Sequence, residues 1–241
     1  MNLYVDIGNT RIKWARGRHG LLRAPGALVL AETPDWVQRL PLAAVQRVFV
    51  ASVSGTAPLA VLQAQAAVHG VPVHVAQTTA RVGDVINAYD DPAWHGVDRW
   101  MACLAAHARA PGSVLIADAG TALTLDWVDA RGRHGGGLIA PGLQTMRSTL
   151  QSNTQLPPGN AQTAGGWLAT ETQAAITLGT LRTAVALLDN AVGELMPERL
   201  LISGGDAEIL APHLAREWEI APQLVLEGLA YHVRCGAPAA C

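Results

Sequence analysis

Apolar and polar positions alternate with period two from the first residues of the chain, with polar breaks at Gly8-Asn9 and Arg18-His19-Gly20. That pattern predicts three strands within residues 2–31. A short helix near Asp35–Leu40 follows, then a strand at Arg47–Val53, a helix at Ala57–His69 and a strand at Val71–Ala76. Gly96–Arg109 reads as a connecting helix. At Ser113 the order begins again, with strands over 113–118, 122–128 and 133–139 and a helical piece from Leu143. The remainder reads as a long apolar helix Ala169–Leu195, strand Arg199–Ser203, helix Ala207–Arg216, strand Glu219–Leu226, helix Glu227–Val233 and a frayed tail Gly236–Cys241. A β-β-β-α-β-α order written twice predicts a duplicated α/β chain with mixed sheets, halves 1–112 and 113–241, and a cleft between them.

The duplication extends to a short motif. Val5-Asp6-Ile7-Gly8-Asn9-Thr10 has a second copy in Asp118-Ala119-Gly120-Thr121-Ala122. Each copy follows an apolar run and precedes an alternating one, so an acid ends one strand and a Gly opens the turn to the next. Glycine lets the backbone turn sharply and approach a ligand closely. Amides, hydroxyls and a carboxylate gathered at a strand end suit phosphate oxygens and a divalent cation. One Asp-x-Gly-x-Thr is common by accident, but two copies half a chain apart in the same strand context are not.

Bulk composition narrows the reading. Half of the residues are hydrophobic and 15% are charged, which supports a sizeable core and excludes global disorder. A net charge of −2 without a Lys/Arg block argues against a nucleic-acid surface. Lys13 is the sole lysine and stands beside the first loop. Cys103, Cys235 and Cys241 have no C-x-x-C spacing, and the eight histidines have no paired metal-ligand spacing. With no apolar run near 18 residues and no basic leader, the expectation is a cytoplasmic chain with no membrane partner.

Taken together, the motifs resemble the actin, Hsp70 and sugar-kinase superfamily, and within it the type III pantothenate kinases (Bvg accessory factor-like family). The resemblance is ordered along nearly the whole chain: Asp6-Ile7-Gly8-Asn9-Thr10 with Lys13, Tyr89 through Gly96-Val97-Asp98-Arg99, Asp118-Ala119-Gly120-Thr121-Ala122, Gly136 through Gly142, Thr172 before Ala174-Ala175-Ile176, and Ser203-Gly204-Gly205-Asp206. It implies duplicated ribonuclease H-like domains and ATP-dependent phosphorylation of pantothenate to 4′-phosphopantothenate, the first step of coenzyme A biosynthesis. Rival readings are a related small-molecule kinase and a nucleotide-binding regulatory protein without turnover.

The resemblance also implies residue roles. Asp6 would hold Mg²⁺, with Ile7, Gly8, Asn9, Thr10, Arg11, Ile12 and Lys13 around the ATP phosphates. Asp98, otherwise readable as a helix cap, becomes the catalytic base. Arg99 would hold the pantothenate carboxylate, while Tyr89, Gly96 and Val97 line the same pocket. Asp118 would bind a monovalent cation (K⁺ or NH₄⁺) and Thr121 would reach ATP, with Gly204-Gly205 leaving room for the adenosine. Thr172 would reach across a homodimer interface, making the site composite. Asp91, Trp94 and His95 depart from the family pattern around Tyr89. Trp14, Trp94, Trp100 and Trp127 read as core, and Gly135–Gly137 and Pro141-Gly142 as turn or close-approach positions.

Overall fold

A computed structural model of the chain describes residues 1–18, 20–154, 166–236 and 239–240. His19 of the expected second turn and Cys241 of the expected tail lie outside the described residues. Two compact units emerge: Met1–Ser113 with Trp127–Gly136 and Gln223–Cys241, and Val114–Asp126 with Gly137–Pro222. This grouping differs from a single cut at 112/113, because the tip of one hairpin and the last helix belong with the first unit.

In the first unit the chain runs β1 (Asn2–Ile7), β2 (Arg11–Arg18), β3 (Leu21–Val29), β4 (Arg47–Ser52), α1 (Thr56–Val68), β5 (Val73–Ala76), β6 (Arg81–Val82), β7 (Val85–Ile86) and α2 (Val97–Arg109). Its main sheet has the order β13-β5-β4-β1-β2-β3, where β13 is Ala239–Ala240. β1 pairs antiparallel with β2 and parallel with β4, so this is the mixed sheet that the alternation predicts. Leu3, Val5 and Ile7 of β1 are fully buried with Ile12, Val48 and Val50 under Leu62 and Ala66 of α1. The β1 side chain Tyr4 stacks on Phe49, which stacks on His74. A strand buried on both faces is held in register on each side, and that fixes where Asp6 emerges.

The second unit is built on a five-stranded sheet of order β10-β9-β8-β11-β12. Its strands are β8 (Val114–Ala119), β9 (Ala122–Val128), β10 (His134–Pro141), β11 (Arg199–Ser203) and β12 (Glu219–Ile220). The helices are α3 (Leu143–Asn153), α4 (Thr172–Leu195) and α5 (Ala207–Leu210), and α6 (Leu224–Arg234) returns to the first unit. β8 and β11 run parallel with Asp118 opposite Ser203, so both strand ends open in one direction.

Four details depart from the expected elements. The expected strand Glu219–Leu226 is only two residues long, and Leu224-Val225-Leu226 opens α6 instead. A short apolar run carries no periodicity that separates a buried strand from a buried helix, and Pro222 closes the ladder. The helix expected to Arg216 stops at Leu210 and continues as one tighter turn containing Pro212. α4 starts at Thr172, not Ala169, because the Glu171 carboxylate caps it, accepting from Gln173 N–H at 2.9 Å and Ala174 N–H at 2.8 Å. The expected tail supplies an edge strand, Ala239–Ala240, antiparallel to β5.

Candidate active site

The first loop is the β1–β2 hairpin. Asp6 lies opposite Lys13 across the pair, with Ile7 opposite Ile12, so the acid and the sole lysine leave adjacent strands at the same level. Asp6 is 9% exposed, whereas Asn9 and Thr10 project from the turn. The Gly8 amide donates to the Arg11 carbonyl at 3.0 Å and closes the hairpin. The second loop repeats this device: the Gly120 amide donates to the Ala122 carbonyl at 3.0 Å. The two glycine amides therefore serve the turns themselves.

Neighbouring segments lock the second loop from two sides. Gly142 N–H and the Thr145 hydroxyl both donate to the Thr121 carbonyl, at 3.0 and 2.6 Å. A side chain on Gly142 would collide with the Gly120 carbonyl, which bears out the close-approach reading of Pro141-Gly142. Gly204 has φ +96°, and a β-carbon there would run into the Ala119 backbone. Asp206 N–H donates to the Ala119 carbonyl at 2.9 Å. At Gly204, then, the missing side chain makes room for the chain's own backbone. Asp118, Thr121, Gly204 and Gly205 thus gather at the carboxyl ends of β8 and β11, where open α/β sheets bind ligands.

Asp98 and Arg99 occupy the first turn of α2, after Gly96 at its start. The Asp98 carboxylate accepts from the Arg99 amide at 2.8 Å, and a helix N-terminus favours the ionised acid. Arg99 is 7% exposed, and its guanidinium donates to the Tyr89 hydroxyl at 3.2 Å. Tyr89, Asp98 and Arg99 are therefore brought together as expected. The sequence alone did not show what stands behind them. The Tyr89 ring stacks on His95 at 4.7 Å and 9°, and His95 stacks on His134 at 4.6 Å and 9°. His95 was visible only as a departure from the family pattern, and His134, on another strand, carried no local signal. Buried His95, Cys103 and His134 hold their nitrogen and sulfur atoms within 4.8 Å of one another.

The motifs from Asp6 to Thr172 sit within a match to the sequence profile of the type III pantothenate kinases, which covers residues 2–194. The chain belongs to that family. A type III pantothenate kinase of Laribacter hongkongensis is 36% identical over 97% of this chain and 99% of its own length. One from Alkalilimnicola ehrlichii is 37% identical over 96% and 97%. Among solved structures, a Campylobacter jejuni protein described as a Baf family transcriptional activator superposes with a TM-score of 0.65 at 20% identity, covering 96% of this chain and 97% of that one. That last likeness speaks for the fold alone. Pantothenate kinase activity is the function that membership across nearly the whole length carries.

Asp6 and Asp118 offer hard carboxylate oxygens at strand ends, and Asn9, Thr10 and Thr121 add amide and hydroxyl groups. Each loop's donors, taken by themselves, fit a hard cation and phosphate oxygens and lack the soft ligands of a transition-metal site. Thr172 is the first residue of α4 and half-buried.

Proposed function

We propose that the chain transfers the terminal phosphoryl group of ATP to the 4′-hydroxyl of pantothenate, with Asp98 as general base. The observation that carries this reading is the first turn of α2, which presents a carboxylate and a guanidinium side by side with the guanidinium braced by Tyr89. The hydroxyl proton passes to Asp98 as the oxygen–phosphorus bond forms, and the bond from phosphorus to the bridging oxygen breaks to release ADP. Arg99 pairs with the acceptor's carboxylate through its planar fork and so fixes which end of the molecule faces Asp98. Gly96 and Val97 are the backbone wall of that pocket.

Asn9, Thr10 and Lys13 are the residues of the first loop for the phosphates, with Ile7, Gly8, Arg11 and Ile12 forming the hairpin that holds them, and Thr121 is the residue of the second loop for ATP. Asp6 is the residue for Mg²⁺ and Asp118 the residue for a monovalent cation, K⁺ or NH₄⁺. Bound there, the cations neutralise charge that develops on the phosphates. Both substrates are small polar molecules, consistent with a cytoplasmic enzyme, and no helix among the described residues is long and apolar enough to cross a membrane.

The site is read as composite. Ile176, Leu178, Leu181, Val185 and Leu187 stay partly exposed along α4, which suits an isologous partner helix. Thr172 at its start would then face the partner's pantothenate pocket. The direct test is ADP release with Mg²⁺ and K⁺ present. Release that depends on pantothenate, and not on a panel of sugars, is expected. Release indifferent to pantothenate overturns the reading, and nucleotide binding without any turnover favours the regulatory alternative.

A further inference from the structure

The acceptor pocket as proposed needs Arg99 held in one orientation, and the structure contains a device for that which the family resemblance does not supply. We infer that the ring stack Tyr89–His95–His134, clamped by Asn87, sets the position of Arg99, and that His95 and Asn87 are positioning residues for the acceptor's carboxylate. The inference rests on the kinase reading given above.

The chain of contacts is continuous within the first unit. Arg99 donates to the Tyr89 hydroxyl at 3.2 Å, and the Tyr89 side chain is steadied through the stacking of its ring. The ring lies against His95 at 4.7 Å, and His95 lies against His134 at 4.6 Å, both within 9° of parallel. On its edge His95 meets Trp100 at 5.8 Å and 63°. Flat faces on one side and an edge contact on the other leave His95 little freedom to tilt.

Asn87 fixes the same group in the plane of the rings. Its own amide donates to the Ala80 carbonyl at 2.9 Å, and its side-chain NH₂ donates to the Thr79 carbonyl at 3.4 Å. Its side-chain oxygen therefore faces the other way, where it accepts from Tyr89 N–H at 3.1 Å and meets His95 Nδ1 at 3.2 Å. An amide oxygen only accepts, so Nδ1 carries the proton in this contact. The Thr78 hydroxyl donates to the His95 carbonyl at 2.8 Å and holds its backbone. One asparagine thus ties the backbone of Tyr89 to the ring that supports Tyr89. An aliphatic residue at position 95 has neither a flat face for Tyr89 nor a donor for Asn87.

The test separates positioning from simple stability. Steady-state constants for pantothenate and for ATP are measured for wild type, His95→Leu, His95→Phe and Asn87→Leu, with melting temperature followed in parallel. His95→Leu is expected to raise the pantothenate KM about tenfold, with the ATP KM within about twofold of wild type. His95→Phe keeps the stacking face and should recover most of that loss, while Asn87→Leu should reproduce it even if His95→Leu fails to fold. If the pantothenate KM is unchanged in both leucine variants, or if it rises together with the ATP KM, the inference is overturned. Equal constants for His95→Phe and His95→Leu overturn the stacking part. A wild-type protein that does not use pantothenate at all is a different result, and it removes the kinase reading itself.

Discussion

Gly8 and Gly120 donate their amides to the first carbonyl of the following strand at the same 3.0 Å, yet the two loops are held very differently. Around the first, Leu30 N–H reaches the Thr10 carbonyl at 2.9 Å and Val53 N–H reaches Ile7 at 3.1 Å, while Asn9 and Thr10 stay exposed. Around the second, Gly142, Thr145, Gly204 and Asp206 all close on residues 119–121. Thr121 is exposed as Asn9 and Thr10 are, so the difference lies in the backbone: one motif, duplicated, has become an open loop and a backbone platform packed from both sides. Asp98 and Arg99, which carry the proposed chemistry, share a unit with the open loop. On that reading the proposed reactive groups and the packed platform fall in different units.

The largest expected effect lies with the reactive side. Asp98→Asn should lower kcat by about 10²–10⁴, with ATP still bound, because the proposed general base is lost while an amide oxygen can still accept from the Arg99 N–H. Asp6→Asn should instead raise the KM for Mg-ATP. Wild-type kcat in Asp98→Asn would take the chemistry away from α2.

The proposed composite site gives the next largest expected effect. Mixing Asp98→Asn subunits with Thr172→Arg subunits places one intact Asp98 opposite one intact Thr172 in each mixed dimer. Random exchange should then restore about a quarter of wild-type sites. Activity that stays at the level of the separate variants, after mass spectrometry confirms exchange, places each site within one subunit.

The comparison of loops can be broken by two alanines. Gly204→Ala puts a β-carbon into the Ala119 backbone at a positive φ and should cost about 1–3 kcal/mol in urea unfolding. Gly8→Ala meets the Arg11 carbonyl at 3.1 Å, a tight contact that a small shift relieves, and should cost less. Equal losses would mean the second loop is no more firmly seated than the first.

The smallest effect is on acid stability. His232 is fully buried in α6, and desolvation lowers its pKa below the ordinary 6.5. The unfolded chain then binds a proton that the folded chain refuses, so stability is full above pH 6.5 and declines as pH falls below it, until the lowered folded pKa is reached. Glu171 acts lower on the scale: the Gln173 and Ala174 amides hold its carboxyl below 4.5, and its capping contribution is lost as pH falls through that lowered value. Melting temperatures from pH 7.5 to 5.5 should fall for wild type and fall less for His232→Leu. Parallel curves would remove His232 as the cause.

The duplicated motif and the first turn of α2 were legible in the sequence because each is a local signal, a few residues whose spacing carries their meaning. His95 and His134 meet only through the fold, so position 95 showed nothing but an unexpected side chain. Gly142 and Gly204 were visible as glycines, but the backbone each one admits, at Gly120 and Ala119, lies far away in sequence. The end of the chain departs from the expected strand for a related reason: Leu224-Val225-Leu226 is buried on all sides, which removes the amphipathic signature that distinguishes a helix.

That last helix has a consequence for how the protein is made. α6 packs on α2 so closely that a side chain on Gly228 would strike the Met101 backbone, and it belongs to the unit that carries Asp98. The ribosome synthesises it after the whole of the second unit. The Asp98 turn therefore emerges early but waits for its covering helix, and a nascent chain halted before Leu224 would expose the apolar face of α2 to chaperones and proteases.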